Sequence, residues 1–169
     1  STIAVLGGTN SKELAKKLAK RINAEYGELH TDKFPDGETY LKLPFPVDGK
    51  KVILVEGMHP NPNEILIETI FAARTAKELG AKEVILVAPY LAYLRQDKRF
   101  HPLECWSNRI MATILHFADR IIAVDPHIQR IPNLQSIFKI PAKQITANKL
   151  IAEYIQNNIK EPVILGPDE

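Results

Sequence analysis

Short aliphatic runs alternate with segments whose apolar residues recur every three or four positions, and this alternation limits the fold more than any other feature. Thr2 to Leu6, Lys51 to Glu56, Glu83 to Ala88, Arg120 to Val124 and Pro162 to Leu165 read as strands. Their near-continuous apolar character fits a sheet buried on both faces. Between them lie predicted helices. Asn10 can cap the first, with Glu13 completing a capping box, and Leu14, Leu18 and Ile22 form its inward stripe. Lys12, Lys16, Lys17, Lys20 and Arg21 give it a solvated face. Asn61 to Asn63 offer caps for a second helix with a stripe of Leu66, Ile70 and Ala73, stopped at Gly80. A third is expected over Glu104 to Phe117, and a fourth over Gln144 to Ile159 with Leu150, Ala152 and Ile155. Residues 24–43 hold two short strand-like pieces around Lys33 to Glu38. Strands alternating with helices of this length make βαβ units, so the predicted class is α/β, a parallel sheet with helices on both faces.

The 169 residues suit one domain, and 45% of them are hydrophobic, enough for a core. No apolar run reaches the roughly 18 residues that a membrane span needs, and the N-terminus has no secretory pattern. A single cysteine excludes an intrachain disulfide and a cysteine-based zinc site. The expected location is the cytoplasm. The net charge of +2 gives no reason to expect nucleic acid or membrane partners, so any anion site must come from local clustering.

In open α/β sheets ligands gather outside the carboxyl ends of the strands. Here those ends are Gly7-Gly8, Gly57-Met58-His59, Pro89-Tyr90, Asp125-Pro126-His127 and Gly166-Pro167-Asp168. The loop from Pro89 to Pro102 carries two tyrosines, then Arg95, Gln96, Asp97, Lys98 and Arg99. Arginine forks suit phosphate oxygens and lysine adds a point charge, although a basic loop alone is ordinarily just solvated. His127 at a strand end is either a hydrogen-bonded structural residue or a ligand. Mg²⁺ prefers oxygen donors, which weighs against the imidazole. Phe34-Pro35-Asp36-Gly37-Glu38 reads as a turn, because proline presets φ and Asp-Gly favours a hairpin.

Taken together and in order, Phe34-Pro-Asp-Gly-Glu38, Pro89-Tyr-Leu-Ala-Tyr-Leu-Arg-Gln-Asp97, Val124-Asp-Pro-His127 and Gly166-Pro-Asp168 resemble ribose-phosphate pyrophosphokinase. The resemblance covers the chain but only the first half of such an enzyme. It implies a phosphoribosyltransferase-like domain over residues 1–169. It also implies contacts of Arg95, Gln96 and Asp97 with ATP, and an adenine-side wall of Phe34, Asp36, Gly37 and Glu38 in a neighbouring subunit's site. His127 and Asp168 would hold Mg²⁺, with Asp125 as a helper. The implied reaction is attack of the ribose 5-phosphate 1-hydroxyl on the β-phosphorus of MgATP, giving phosphoribosyl pyrophosphate and AMP. The family's catalytic lysine loop and ribose 5-phosphate loop would lie beyond Glu169, so this chain alone is expected to be inactive. A homo-oligomer with shared sites is implied.

The sequence departs from the family pattern after Asp97. Phe100 to Ser107 is a shorter loop with Cys105 and Trp106 in place of Pro-Ile, and Lys139 and Lys143 stand where many members are acidic. The alternative is a non-catalytic relative that assembles with active subunits. A plain phosphoribosyltransferase would need an acidic pair followed by a glycine-rich loop, which the sequence lacks.

Overall fold

The computed structural model describes residues 2–147. Four strands with apolar runs, β1 (Ile3–Gly7), β5 (Lys51–Val55), β6 (Glu83–Ala88) and β7 (Arg120–Val124), pair side by side, flanked by the more polar β2 (Glu25–Glu28) and β8 (Ala142–Ile145). They form one sheet in the order β2-β1-β5-β6-β7-β8 with every pair parallel. β3 (His30–Lys33) and β4 (Thr39–Lys42) make a separate antiparallel hairpin. The helices are α1 (Lys12–Arg21), α2 (Pro62–Glu78) and α3 (Ser107–Ile114), the last extended by a 3-10 turn over Leu115–Phe117.

Because side chains alternate across a strand, the sheet feeds two cores. Leu6, Val52, Leu54, Val84, Leu86 and Ile121 meet Ile65, Ala72, Ala73 and Ala76 of α2 and Met111 of α3. Val5 and Val55 meet Ala15 and Ala19 of α1 on the other side. Helices therefore cover both faces, as expected for the α/β class.

Several local expectations are corrected. The inward face of α1 is Ala15 and Ala19, whereas Leu14 and Ile22 are exposed and Leu18 is half-buried. Alanines let the helix lie close to β1, where even Gly7 faces the Ala15 methyl. Asn10 caps nothing. The helix starts from Ser11, and the Asn10 amide donates instead to the carbonyls of Gly57 and His59 and to Asn61 Oδ1. In α2 the buried positions are Ile65, Glu68, Thr69, Ala72, Ala73 and Ala76, one residue round from the expected stripe except at Ala73. Gly80, at φ +89°, ends that helix as anticipated. A strand β2 precedes the two pieces expected within residues 24–43. Gln144 and Ile145, expected in a helix, finish β8 because the outer edge of β7 needs hydrogen-bond partners. The rest of that expected helix from residue 148, the strand Pro162 to Leu165 and Asp168 lie outside the described residues.

The chain leaves β1 for β2 on one side, then crosses to β5 on the other. The carboxyl ends of β1 and β5 therefore frame the topological switch point, where open α/β sheets commonly bind ligands.

Candidate functional site

Two loops at the carboxyl edge deliver the residues of most chemical interest. After β6, Leu91, Ala92 and Leu94 are buried as anchors. Tyr93 takes a left-handed φ of +64°, and its carbonyl accepts the Ser107 hydroxyl at 2.9 Å. This bend turns Arg95 out to the surface. After β7, Asp125 takes φ +41° and sends the chain into His127. The two loops meet around a cavity of about 210 Å³ lined by Arg95, Asp97, His127, Gln129 and Arg130. Arg95, Asp97 and His127, picked out from separate segments of sequence, are thus brought together. The His127 ring stands edge-on to Tyr90 at 6.3 Å, and Tyr90 stands edge-on to His59 at 5.8 Å. One aromatic row therefore crosses the ends of three strands.

Other expected site residues are placed differently. Gln96 does not line that cavity. Its amide donates to Glu104 Oε2 at 2.9 Å and its carbonyl accepts the Asn108 N–H. The same Glu104 oxygen takes the N–H groups of Phe100 and His101 at 2.9 and 3.1 Å, and the Glu104 carbonyl takes Arg99 Nε. Glu104 thus folds the unusual 100–107 loop upon itself. Trp106, at the start of α3, has the guanidinium groups of Arg99 and Arg109 against its ring at 5.9 and 5.5 Å, while Cys105 is exposed. Asp125 is outside the cavity lining too. Its Oδ2 accepts the Ala147 N–H at 3.0 Å, and this bond, with the Thr146 hydroxyl, draws its carboxyl below the ordinary aspartate value.

The turn expected at Phe34 to Glu38 is the tip of the β3–β4 hairpin. Gly37 takes φ +93°, Asp36 Oδ1 accepts the Glu38 N–H at 3.1 Å, and Phe34 N–H bonds to the Glu38 carbonyl. Phe34 is half exposed and meets Tyr40 edge-on. Lys33 pairs with Glu64, which steadies the hairpin against α2 and holds the Glu64 carboxyl below its usual range. The tip residues Phe34, Asp36, Gly37 and Glu38 do not line the Arg95–His127 cavity.

The switch point holds a cluster that the sequence reading did not single out. Glu56, at the end of β5, is wholly buried. Burial first, then the neighbouring Glu68 carboxyl, pushes its pKa well above the ordinary glutamate value, against a smaller opposing pull from Thr69. Thr69 Oγ1 donates to Glu56 Oε2 at 3.2 Å, and Glu68 accepts the Thr9 hydroxyl at 2.6 Å. Among the described residues Glu56 Oε1 has no hydrogen-bond partner. Burial beside Glu68 favours the neutral acid form of Glu56, which carries a donor of its own. A Cβ on Gly8 would overlap the Glu56 carboxyl group, so the glycine is what makes room for the acid. The sequence signal was an acidic residue closing an apolar strand run just before Gly57. Arg130 and Glu104 were also missed, since nothing local marks either as reaching its distant partner.

Among the described residues no helix is long and apolar enough to cross a membrane, and no three His, Cys, Asp or Glu side chains are placed to hold a metal ion.

Comparison with known proteins identifies the family to which the chain belongs. The family model described as the N-terminal domain of ribose phosphate pyrophosphokinase matches residues 3–128. The ribose-phosphate pyrophosphokinase of Methanopyrus kandleri is 36% identical over 168 residues, covering 98% of this chain and 56% of its own length. That of Methanobrevibacter smithii is 37% identical over 168 residues, covering 98% of this chain and 55% of its own. The crystal structure of phosphoribosylpyrophosphate synthetase from Mycobacterium smegmatis superposes with a TM-score of 0.83 at 29% identity, over 94% of this chain and 53% of that one. The chain spans about half the length of the curated relatives it matches. Its sheet, its strand-end loops and its sequence together make it a member of the family of ribose-phosphate pyrophosphokinase N-terminal domains.

Proposed function

We propose that residues 1–169 form the ATP-side, phosphoribosyltransferase-like domain of a cytoplasmic ribose-phosphate pyrophosphokinase. The enzyme transfers the pyrophosphoryl group of MgATP to the 1-hydroxyl of ribose 5-phosphate. The hydroxyl oxygen forms a bond to the β-phosphorus and gives up its proton to solvent, the bond from that phosphorus to the α,β-bridging oxygen breaks, and AMP leaves. The observation that carries the reading is the convergence of Arg95 and His127, from the ends of β6 and β7, on one cavity.

Phosphoryl-type transfer depends on positioning and charge neutralisation. Arg95 supplies a guanidinium that pairs with phosphate oxygens through two donors at once. Gln96, tied to Glu104, and Asp97, tied to Arg130, hold the loop that carries it. Mg²⁺ reaches the site on the ATP phosphates as part of the substrate. The described residues offer it His127 but no complete set of ligands, because Asp125 is engaged with the backbone. No step is routed through a protein-held metal. Ribose 5-phosphate and the catalytic lysine belong to the other half of the enzyme.

Phe34 presents an apolar face at the hairpin tip, suited to the adenine of a neighbouring subunit in a homo-oligomer. A non-catalytic regulatory relative is not favoured, because the matched relatives bear the enzyme's name.

The test uses the enzyme with both halves. AMP should form only with ribose 5-phosphate present, and Arg95→Ala should lower kcat/KM for ATP by about 10²–10³. At ATP concentrations too low for either variant alone to turn over, mixing Phe34→Ala and Arg95→Ala subunits should restore activity. An unchanged kcat/KM in Arg95→Ala sinks the assignment, and mixed oligomers without activity sink the shared site.

A further inference from the structure

Asp97 lines the β6/β7 cavity, but its carboxylate is already engaged. Arg130 Nε lies 3.0 and 3.1 Å from its two oxygens and Arg130 Nη2 lies 2.9 Å from Oδ1. The Asp97 side chain is only 6% exposed, whereas that of Arg130 is 48% exposed. The guanidinium also stands 4.8 Å above the Phe100 ring. Arg130 is thus gripped along its Nε–Nη2 edge and stacked on one face. Among the described residues its Nη1 group donates to no acceptor, and the residue lines the cavity with Arg95 and His127.

We propose that Arg130 is a second guanidinium directed at the polyphosphate chain, and that Asp97 is its positioning residue rather than a ligand of the nucleotide. This rests on the nucleotide-binding reading of the cavity. A free arginine is flexible, and ordering it opposes binding. A carboxylate on one edge and an aromatic ring on one face fix the plane of the guanidinium in advance. Arginine keeps enough donors for two partners, because its five N–H groups form a fork. Asp97 also limits the resting positive charge of the cavity, which otherwise gathers Arg95 and Arg130 across a narrow space. An arriving polyphosphate then meets two cations whose geometry is already set.

The roles separate by binding measurements on the chain with two probes, MgATP and inorganic tripolyphosphate. Arg130→Ala should weaken both probes at least tenfold and make their affinity less sensitive to salt. Arg130→Lys should recover only part of the loss, since an ammonium cannot use the fork. Asp97→Asn should weaken both probes severalfold, and the double variant Asp97→Asn with Arg130→Ala should bind like Arg130→Ala alone. Additive losses would overturn the positioning role of Asp97. Unchanged affinities in Arg130→Ala, with Arg95→Ala still impaired, would overturn the inference and leave the proposed function standing. Tripolyphosphate binding that depends on Arg130, without any preference for ATP, would support the inference and count against the nucleotide reading. Failure of the unaltered chain to bind either probe would overturn both. Thermal melts separate any variant that lost affinity by unfolding from one that lost only the contact.

Discussion

Tyr93 and Asp125 share a left-handed backbone, φ +64° and +41°, and each stands two residues ahead of a cavity side chain, Arg95 and His127 respectively. Non-glycine residues in this region carry strain, which persists only where the surroundings impose it. Asp125→Gly and Asp125→Ala both remove the carboxylate that holds Ala147, but only glycine is relaxed at this φ. Urea denaturation should find Asp125→Ala less stable than Asp125→Gly by about 1 kcal/mol. Equal midpoints would mean that the turn re-forms without strain.

The Glu56–Glu68 pair makes stability depend on pH. The folded-state pKa of Glu56 lies above its unfolded value, so the native state holds a proton that the unfolded chain has released. The resulting contribution is fully present below the ordinary glutamate pKa and is lost as pH rises through the folded pKa. Glu56→Gln should therefore flatten the decline in melting temperature on the alkaline side, since the amide offers Glu68 a donor at any pH. Parallel pH profiles for the two proteins would show that the pair shares no proton.

Glu104 closes the 96–104 loop with one carboxylate oxygen that accepts from Gln96, Phe100 and His101. Glu104→Ala leaves those donors to water, which is affordable at Phe100 and His101 because both are exposed. Stability should fall by no more than about 1–2 kcal/mol. Limited proteolysis between Lys98 and Leu103 should speed up markedly. A cleavage rate equal to that of the unaltered chain would show that other contacts hold the loop.

Phe34 is half exposed and gains little from the fold beyond its edge contact with Tyr40. Phe34→Ala should change stability by less than about 1 kcal/mol. In the oligomeric enzyme the KM for ATP should rise severalfold. A large drop in melting temperature would instead place the ring in the structural core of the hairpin.

The four central strands were legible because strand burial writes itself as uninterrupted apolar runs, and β6 and β7 begin and end where the sequence suggests, whereas the polar edge strands β2 and β8 were not. The inward face of α1 was not, because alanines buried by close approach carry a weaker apolar signal than the leucines left outside. Arg95 and His127 were legible from their strand-end positions and the family-like runs around them. Asp97 was expected to contact ATP, but its engagement with Arg130 depends on two loops meeting 33 positions apart in sequence. Likewise, a terminal Glu56 reads as the polar end of a strand. Only the packing of Gly8 and Glu68 around it makes it a buried acid.

The same glycine carries a consequence for how the sequence can change over time. Any side chain at position 8 needs the space now filled by the carboxyl group of Glu56. A step to alanine at position 8 alone forces the buried Glu56 carboxyl group out of its place, at a cost of about 1–3 kcal/mol. After a shortening of Glu56 the same step becomes open. Positions 8 and 56, 48 apart in the chain, are thus coupled, and the change at position 8 is easier once the acid has been shortened.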